Sequence, residues 1–237
     1  MKASFSHTVV EAKEFEKIIG YSFKDKELLR EALTHSSYFY ENPQKAHRHN
    51  ERLEFLGDAV LELAVTEELY NRYPNYEEGT LTSLRAALVN YQMMATVARE
   101  INLGKFLFLS RGESKDKGRA REVILANAME AMIGAIYLDA NYKTAKKHIV
   151  QFVLAHLDEV FKKGLYKDAK SEYQEKTQSE FKITPTYKVL NENGPDHNKE
   201  FIVGVFLGHK KTGEGRGFSK QEAEIEAAKS ALEKIED

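Results

Sequence analysis

The chain of 237 residues carries 35 Lys and Arg against 37 Asp and Glu, a net charge of −2, and has no cysteine. The missing cysteines exclude a disulfide framework and a Cys-based zinc site, and they suit a reducing, cytoplasmic setting. The balanced charge does not indicate nucleic-acid binding, so evidence for it must come from local arrangement. Residues 1–16 lack the apolar core of a signal peptide. The longest apolar run, 123–138, is interrupted by polar residues and predicts no membrane span.

The first part of the chain has a helical pattern. Apolar residues recur at helix spacing from Leu28 to Leu33, and residues 34–37 can close that helix. Residues 42–50 are polar, contain Pro43 and are typical of a loop. Further helices are predicted over residues 51–70, 80–100, 123–138 and 143–161, the last of them ending near Gly164.

The pattern changes after Gly164. A helix is predicted over residues 167–182, strands over 186–191 and 200–207, a short third strand within the Gly-rich 208–218 segment, and a last helix over 220–235. This order predicts a small α-β-β-β-α unit. We therefore expect an all-α domain at residues 1–162, followed by a small α+β domain at residues 166–237.

Three carboxylates share one face of the helix predicted over residues 51–70. Glu51, Glu54 and Asp58 stand at positions i, i+3 and i+7, where like charges repel each other and a cation would reverse that effect. A solvated acidic face is the usual interpretation of such a pattern. Gly57 lies between these residues and costs a helix interior about 1 kcal/mol relative to Ala. Its presence suggests that something packs closely against the backbone.

Glu130 is the only charged residue between residues 123 and 138. A carboxylate in so apolar a helix needs a partner, because burying it unpaired is costly. It could be protonated, or it could pair with an arginine such as Arg85. It could also complete an all-oxygen site for Mg²⁺ or Mn²⁺ with Glu54, Asp58 and Asn127. Asn127 lies one helical turn before Glu130. Spacing alone leaves these alternatives open.

The segment from Asn50 to Ala59 resembles the signature of the ribonuclease III endonuclease domain, in a long and ungapped match. Residues 33–38, 78–81, 84–89 and 124–131 support that resemblance. The tail is similar to a double-stranded-RNA-binding domain at residues 171–175, 194–197, 213–215 and 219–224. The two resemblances cover nearly the whole chain in the order of a bacterial ribonuclease III.

The resemblance implies an all-helical homodimer whose two metal sites face each other across a valley that holds an RNA duplex. It implies Mg²⁺ as cofactor, with Mn²⁺ as a substitute, and products with 5′-phosphate and 3′-hydroxyl ends and a short 3′ overhang. The expected substrates are structured ribosomal and messenger RNA precursors, and no small-molecule substrate or membrane is expected. The matched positions are Glu54, Asp58, Asn127 and Glu130 as metal ligands, with Asp58 and Glu130 catalytic; Glu51 and Glu78 at the processing centre near the dimer interface; and Phe55 in a pocket of the partner subunit.

Asn127 departs from the pattern of the family, which usually has Asp there. Asn keeps a ligand oxygen but removes a negative charge, so metal affinity or preference should change. Asn127 can be a tolerated natural variant, a deliberate weakening of the site, or the mark of a chain that binds duplex RNA without cutting it. We favour the first, because the other matched acids are intact.

Four residues of the tail are predicted to contact RNA. Gln174 and Gln178 stand one turn apart, where their amides can bond 2′-hydroxyls and base edges in the minor groove. His197 could reach the next minor groove, and Lys220 opens the last helix, where phosphate is favoured. Further basic residues, Lys210, Lys211 and Arg216, could extend this surface. Two departures from the family, Tyr173 for Leu and Gln221 for Lys, suggest altered affinity.

Overall fold

A computed structural model of the chain describes residues 13–115, 118–166, 169–194 and 199–236. The chain divides into two compact units, Met1–Tyr166 and Lys167–Asp237. The first unit is helical. The second contains two helices and an antiparallel sheet. This is the expected fold class, whereas the domain limits 1–162 and 166–237 stay a prediction.

The first unit contains nine helices in its described residues. They are α1 (13–19), α2 (Lys26–Ala32), α3 (Ser36–Glu41), α4 (Glu51–Arg72), α5 (Glu78–Val89), α6 (Tyr91–Glu100), α7 (Arg119–Asp139), α8 (Tyr142–Phe152) and α9 (Leu157–Lys162). Short 3-10 turns occupy Leu103–Lys105, Glu113–Lys115 and Leu154–His156.

Helix α7 lies in the middle of this unit. Apolar residues on all sides of it are buried, from Ile124 to Ile136. A helix that is apolar all round must be enclosed by other elements. Helix α4 is amphipathic by comparison and buries one side, which includes Leu53, Gly57 and Leu61. The two helices form the core against which the other helices pack. No helix in the described residues is long and apolar enough to cross a membrane.

Two predicted helices are each divided in the structure. The prediction of a single helix over residues 80–100 is wrong, because the helix is interrupted at Asn90. The ψ of Asn90 is 161°, an extended value, and its side chain accepts the Met93 N–H at 2.9 Å. Asn90 therefore ends α5 and caps α6. The helix expected over residues 143–161 is interrupted by the 3-10 turn Leu154–His156. Residues 34–37, expected to close a helix, also begin α3, which His35 caps.

The second unit is built from α10 (Ala169–Phe181), β1 (Thr186–Asn193), β2 (Glu200–Leu207), β3 (Lys210–Gly217) and α11 (Lys220–Glu236). The strands form an antiparallel sheet in the order β1-β2-β3. The expected third strand is confirmed. Its glycines have a packing role, because a Cβ at Gly213 would lie 2.4 Å from the Ala227 carbonyl oxygen and one at Gly215 only 2.1 Å from the Ala227 nitrogen. The alanine face of α11 can thus lie directly on β3.

Tyr173, where the family has Leu, is fully buried in the core of the second unit. Its hydroxyl donates to the Thr212 hydroxyl at 2.7 Å, and Thr212 donates to the Val205 carbonyl at 3.2 Å. The larger side chain is therefore accommodated with its polar end satisfied.

Candidate active site and RNA-binding surface

Helices α4 and α7 cross at two glycines. A Cβ at Gly57 would lie 1.8 Å from the Glu130 carbonyl oxygen, and one at Gly134 would lie 2.3 Å from the Leu53 carbonyl oxygen. Neither position can accept a side chain without moving a backbone. The close packing expected from Gly57 is confirmed, and the neighbour is the helix that carries Glu130. The crossing brings the acidic face of α4 beside Asn127 and Glu130.

The carboxylates at this crossing act on one another. Burial is the main reason that the pKa of Glu54 is raised, and the charges of Glu51 and Asp58 add to it. A hydrogen bond with the Asn127 amide partly offsets that rise. A carboxylate has only acceptor oxygens, so the Asn127 nitrogen is the donor. Asn127 and Glu54 therefore belong to one cluster, although they are far apart in the sequence.

Glu130 is the most perturbed acid of this cluster. Burial first, and then the charges of Asp58 and Glu54, raise its pKa to about 8. Arg85, the alternative partner, donates instead to the Thr66 hydroxyl at 3.2 Å. No ion pair to Glu130 occurs within the described residues. Glu130 thus lies half-buried among like charges, where either a proton or a cation would stabilise it.

The chemistry of these donors suits a hard divalent cation. Glu54, Asp58, Asn127 and Glu130 offer only oxygen atoms, the ligands that Mg²⁺ and Mn²⁺ prefer. Among the described residues, however, no three His, Cys, Asp or Glu side chains converge as a ready-made metal site. The backbones are held at close range, and binding one cation through all four residues would require the side chains to turn toward a common point.

The other residues predicted for this site lie at its edge. Glu51 and Glu78 are exposed in the first turns of α4 and α5, and the Thr82 hydroxyl donates to Glu78 at 3.0 Å. No hydrogen bond or ion pair joins Glu78 to the acidic cluster in the part of the chain that the structure describes. Phe55 is 82% exposed on α4, which is unusual for so large an apolar side chain.

Two features of the site were not anticipated from the sequence. Gly134 is the counterpart of Gly57, and the same signal, a glycine inside a helix, could have identified it. The second is a group of polar side chains at the start of α4. There Asn50 is almost fully buried, and its backbone N–H donates to the Thr34 carbonyl at 2.9 Å. His49 comes directly before the motif that begins at Asn50, so its position was visible, but its role was not.

The predicted RNA-binding residues lie on the second unit. Gln174 and Gln178 line one open groove of α10, and Gln178 accepts a hydrogen bond from Thr184 at 3.0 Å. Lys220 begins α11, with its Nζ 3.7 Å from a Glu192 carboxylate oxygen and 5.6 Å from the centre of the Phe201 ring. His197 lies outside the described residues.

The basic residues proposed to extend this surface are partly paired. Lys211 donates to Glu214 at 2.7 Å, and the charges of Lys211 and Arg216 both hold the pKa of Glu214 below its usual value, the hydrogen bond from Lys211 being the largest cause. These residues therefore contribute less net positive charge than their number suggests.

Family comparisons match both units. The Ribonuclease-III-like family model matches residues 25–157, and the Double-stranded RNA binding motif model matches residues 169–235. The chain belongs to the ribonuclease III family. It is an enzyme of that family, with the helical nuclease unit first and the double-stranded-RNA-binding unit second.

Relatives in the ribonuclease III family align over nearly the whole chain. Ribonuclease 3 of a Nitratiruptor species is 46% identical over 92% of this chain and 94% of its own length. Ribonuclease 3 of Desulfotalea psychrophila is 48% identical over 94% of this chain and 92% of its own. Among solved structures, the nuclease domain of Campylobacter jejuni ribonuclease III is 43% identical with a TM-score of 0.55, covering 61% of this chain and 94% of that one.

Proposed function

We propose that the chain is a divalent-metal-dependent endoribonuclease that cleaves double-stranded RNA. The observation that carries this proposal is the position of Glu130, half-buried at the glycine crossing of a nuclease fold and facing the charges of Asp58 and Glu54. A buried carboxylate that faces two further negative charges needs a compensating cation or proton. The family to which the chain belongs favours the cation.

In this proposal Glu54, Asp58, Asn127 and Glu130 hold Mg²⁺, with Mn²⁺ as a substitute. The bound cation supplies Lewis acidity for the scissile phosphate and lowers the pKa of water. The protein contributes the fixed distance between α4 and α7, since the Gly57–Gly134 contact limits how far the ligands can separate. Asn127 also lowers the pKa of Glu54 and so favours the charged form of this carboxylate.

We further propose that the enzyme acts as a homodimer. Phe55, Leu63 and Tyr70 share one stripe of α4, and all three are more than half exposed. Exposed apolar side chains grouped in this way are typical of an interaction surface. A solved structure of the Campylobacter jejuni nuclease domain is described as flexible in a region involved in dimer formation. Two sites across such an interface would each cut one strand.

The resemblance to ribonuclease III extends the proposal to products and substrates. The family implies 5′-phosphate and 3′-hydroxyl ends, and two sites offset along a duplex would leave a short 3′ overhang. Structured ribosomal and messenger RNA precursors are the expected substrates. The second unit would hold the duplex through Gln174, Gln178 and Lys220, with His197 as a fourth proposed contact, and would read A-form shape more than sequence.

One assay separates this proposal from its alternative, a chain that clamps duplex RNA without cutting, which Asn127 in place of Asp motivates. A long RNA duplex is incubated with the protein in Mg²⁺, in EDTA, and with the Glu130→Gln variant. We expect short products in Mg²⁺, none in EDTA, and a rate at least about 100-fold lower for the variant. Glu122→Gln is the matched control, because Glu122 is on the same helix and pairs with Arg99 at 2.8 Å.

The control variant should cleave like the unmodified protein. Intact duplex in Mg²⁺, together with a gel shift that persists in EDTA, would support the clamp and contradict the nuclease.

A further inference from the structure

A histidine next to the acidic cluster has a buried ring nitrogen that finds no hydrogen-bond partner among the described residues. His49 comes just before α4, and its side chain is 22% exposed. Its ring packs edge-on against Phe39, with centroids 5.2 Å apart, and lies 6.1 Å from the ring of Tyr40. These contacts restrict the rotation of the imidazole. His49 therefore presents its two nitrogens in defined directions.

The Nδ1 atom of His49 is buried and makes no hydrogen bond to any described residue. Buried polar atoms without a hydrogen bond are rare in folded proteins, and each one needs a physical explanation. The nearest acidic oxygen is Oε2 of Glu51, at 3.8 Å, which is too long for a hydrogen bond. The Glu51 side chain is 59% exposed, so a small rotation of this carboxylate would bring it within bonding distance of Nδ1.

A second histidine nearby cannot serve in the same way. Nδ1 of His35 lies 2.8 Å from the Ser37 hydroxyl and accepts the Ser37 backbone N–H at 3.3 Å. The Ser110 backbone N–H in turn donates to the Ser37 hydroxyl at 3.2 Å. Because the Ser37 oxygen accepts that bond, its own proton is available to His35. His49 is then the ring whose Nδ1 is left to bond Glu51.

The orientation of Glu51 matters to the acidic cluster. After burial, the charge of Glu51 is the largest cause of the raised pKa of Glu54, ahead of the charge of Asp58. Glu51 and Glu54 stand one helical turn apart on the same face of α4, so the Glu51 carboxylate adds to the negative field that a cation would feel. If Glu51 turned fully into solvent, water would screen much of that field.

We propose that His49 is a positioning residue, which donates Nδ1–H to the Glu51 carboxylate and holds it beside Glu54 and Asp58. This inference rests on the proposed metal-dependent function. Its consequence is that His49 raises the affinity of the site for a divalent cation without touching the cation or the RNA. Loss of the Nδ1 donor leaves Glu51 free to turn away, which weakens cation binding while the ligands themselves stay in place.

Three substitutions of His49 test the position of the donor. His49→Phe keeps an aromatic ring against Phe39 and removes both nitrogens. His49→Asn places an amide nitrogen close to the position of Nδ1, whereas His49→Gln places one close to that of Nε2. His47→Phe is the matched control, because His47 is exposed and lines a different cleft with Arg30 and Arg48.

Mg²⁺ affinity is measured in two ways, as the rise in melting temperature with added Mg²⁺ and as the Mg²⁺ concentration that gives half-maximal duplex cleavage. Bound ligand stabilises the folded state, so the first readout does not depend on activity. We expect about 10-fold weaker Mg²⁺ binding for His49→Phe and His49→Gln, with the maximal rate at saturating Mg²⁺ within about twofold. His49→Asn and His47→Phe should bind Mg²⁺ like the unmodified protein.

The pairing with Glu51 is tested by a double substitution. Glu51→Gln should weaken Mg²⁺ binding by itself, and adding His49→Phe should weaken it no further, because the two residues act as a unit. Equal Mg²⁺ affinity in His49→Phe and the unmodified protein would overturn the inference alone, as would an undiminished effect of His49→Phe in the Glu51→Gln background. Absence of Mg²⁺ binding by the unmodified protein would overturn the proposed function and this inference with it.

Discussion

At the scale of single residues, Asn127 differs in chemistry from the acid that its family usually has. Its amide donates a hydrogen bond to Glu54 and so partly opposes the rise in the pKa of that carboxylate. An Asp in its place could not donate and would add a further negative charge. The exchange therefore lowers repulsion in the cation-free site and also lowers the charge available to bind a cation. Because the two effects oppose each other, we expect Asn127 to be a tolerated variant.

The variant Asn127→Asp tests this balance. We expect the half-activating Mg²⁺ concentration to fall by about 10-fold at most, and the maximal cleavage rate to change by only a few-fold. Asn141→Asp makes the same charge change at the cap of α8, where its oxygen can still accept the Thr144 N–H, and should have no effect on cleavage. A jump from undetectable to robust cleavage in Asn127→Asp would show instead that Asn127 disables the site.

Lys220, at the start of α11, is expected to contact an RNA phosphate. Lys220→Glu should weaken duplex binding and reduce the slope of log affinity against log salt by about 1, since one phosphate contact is lost. Repulsion from Glu192, now 3.7 Å from the Lys220 nitrogen, should add to the effect. Lys229→Glu is the control on the same helix, because Lys229 pairs with Glu226 at 2.7 Å. Equal binding by both variants at moderate salt would remove Lys220 from the contact surface.

At the scale of elements, the crossing of α4 and α7 sets the geometry of the site. The existence of both helices follows from their apolar patterns, and Gly57 indicated a close approach. That signal could not identify the partner helix. A glycine inside a helix indicates that another element packs closely there, but it does not show which element. The breaks at Asn90 and at Leu154–His156 were missed for a related reason. Apolar spacing continues across both breaks, and a cap or a tight turn changes the direction of the chain without changing that spacing.

Gly134→Ala should separate the two helices. The added Cβ would lie 2.3 Å from the Leu53 carbonyl oxygen and 3.1 Å from the Gly57 nitrogen. We expect the free energy of unfolding to fall by about 1–3 kcal/mol, and Mg²⁺-induced stabilisation to fall with it, both measured by thermal melting. Gly79→Ala is the control, because no atom lies within 4 Å of its Cβ position. An unchanged melting curve for Gly134→Ala, with and without Mg²⁺, would contradict this account of the crossing.

At the scale of the whole molecule, the chain pairs a helical nuclease unit with a small α+β unit that belongs to a family of double-stranded-RNA binders. Each unit has its own core, with Tyr173 and the alanine face of α11 in the second. The order of the units was predictable, because each carries its own motifs and its own secondary-structure pattern. The net charge of −2 gave no help, since RNA binding depends on a few placed residues and not on the total.

Dimer formation is expected to depend on the exposed side chain of Phe55. Phe55→Glu should shift the protein toward monomers in sedimentation experiments, because a charge would be buried at the proposed interface. Phe55 is 82% exposed in the single chain, so the isolated fold should persist in circular dichroism spectra. Phe181→Glu, an exposed aromatic residue of the second unit, should leave self-association unchanged. A Phe55→Glu protein that remains dimeric would place the interface elsewhere.

The sequence by itself determined the family, the fold class, the chemistry of the oxygen donors and the face of α4 on which three acids stand. These properties are local, since helix spacing decides which side chains share a face. The tertiary structure decided that α7 is the partner of that face, that Glu130 is half-buried among like charges, and that Phe39 packs against the ring of His49. Burial and electrostatic coupling arise between segments that are distant along the chain, so they exist only once the helices have packed.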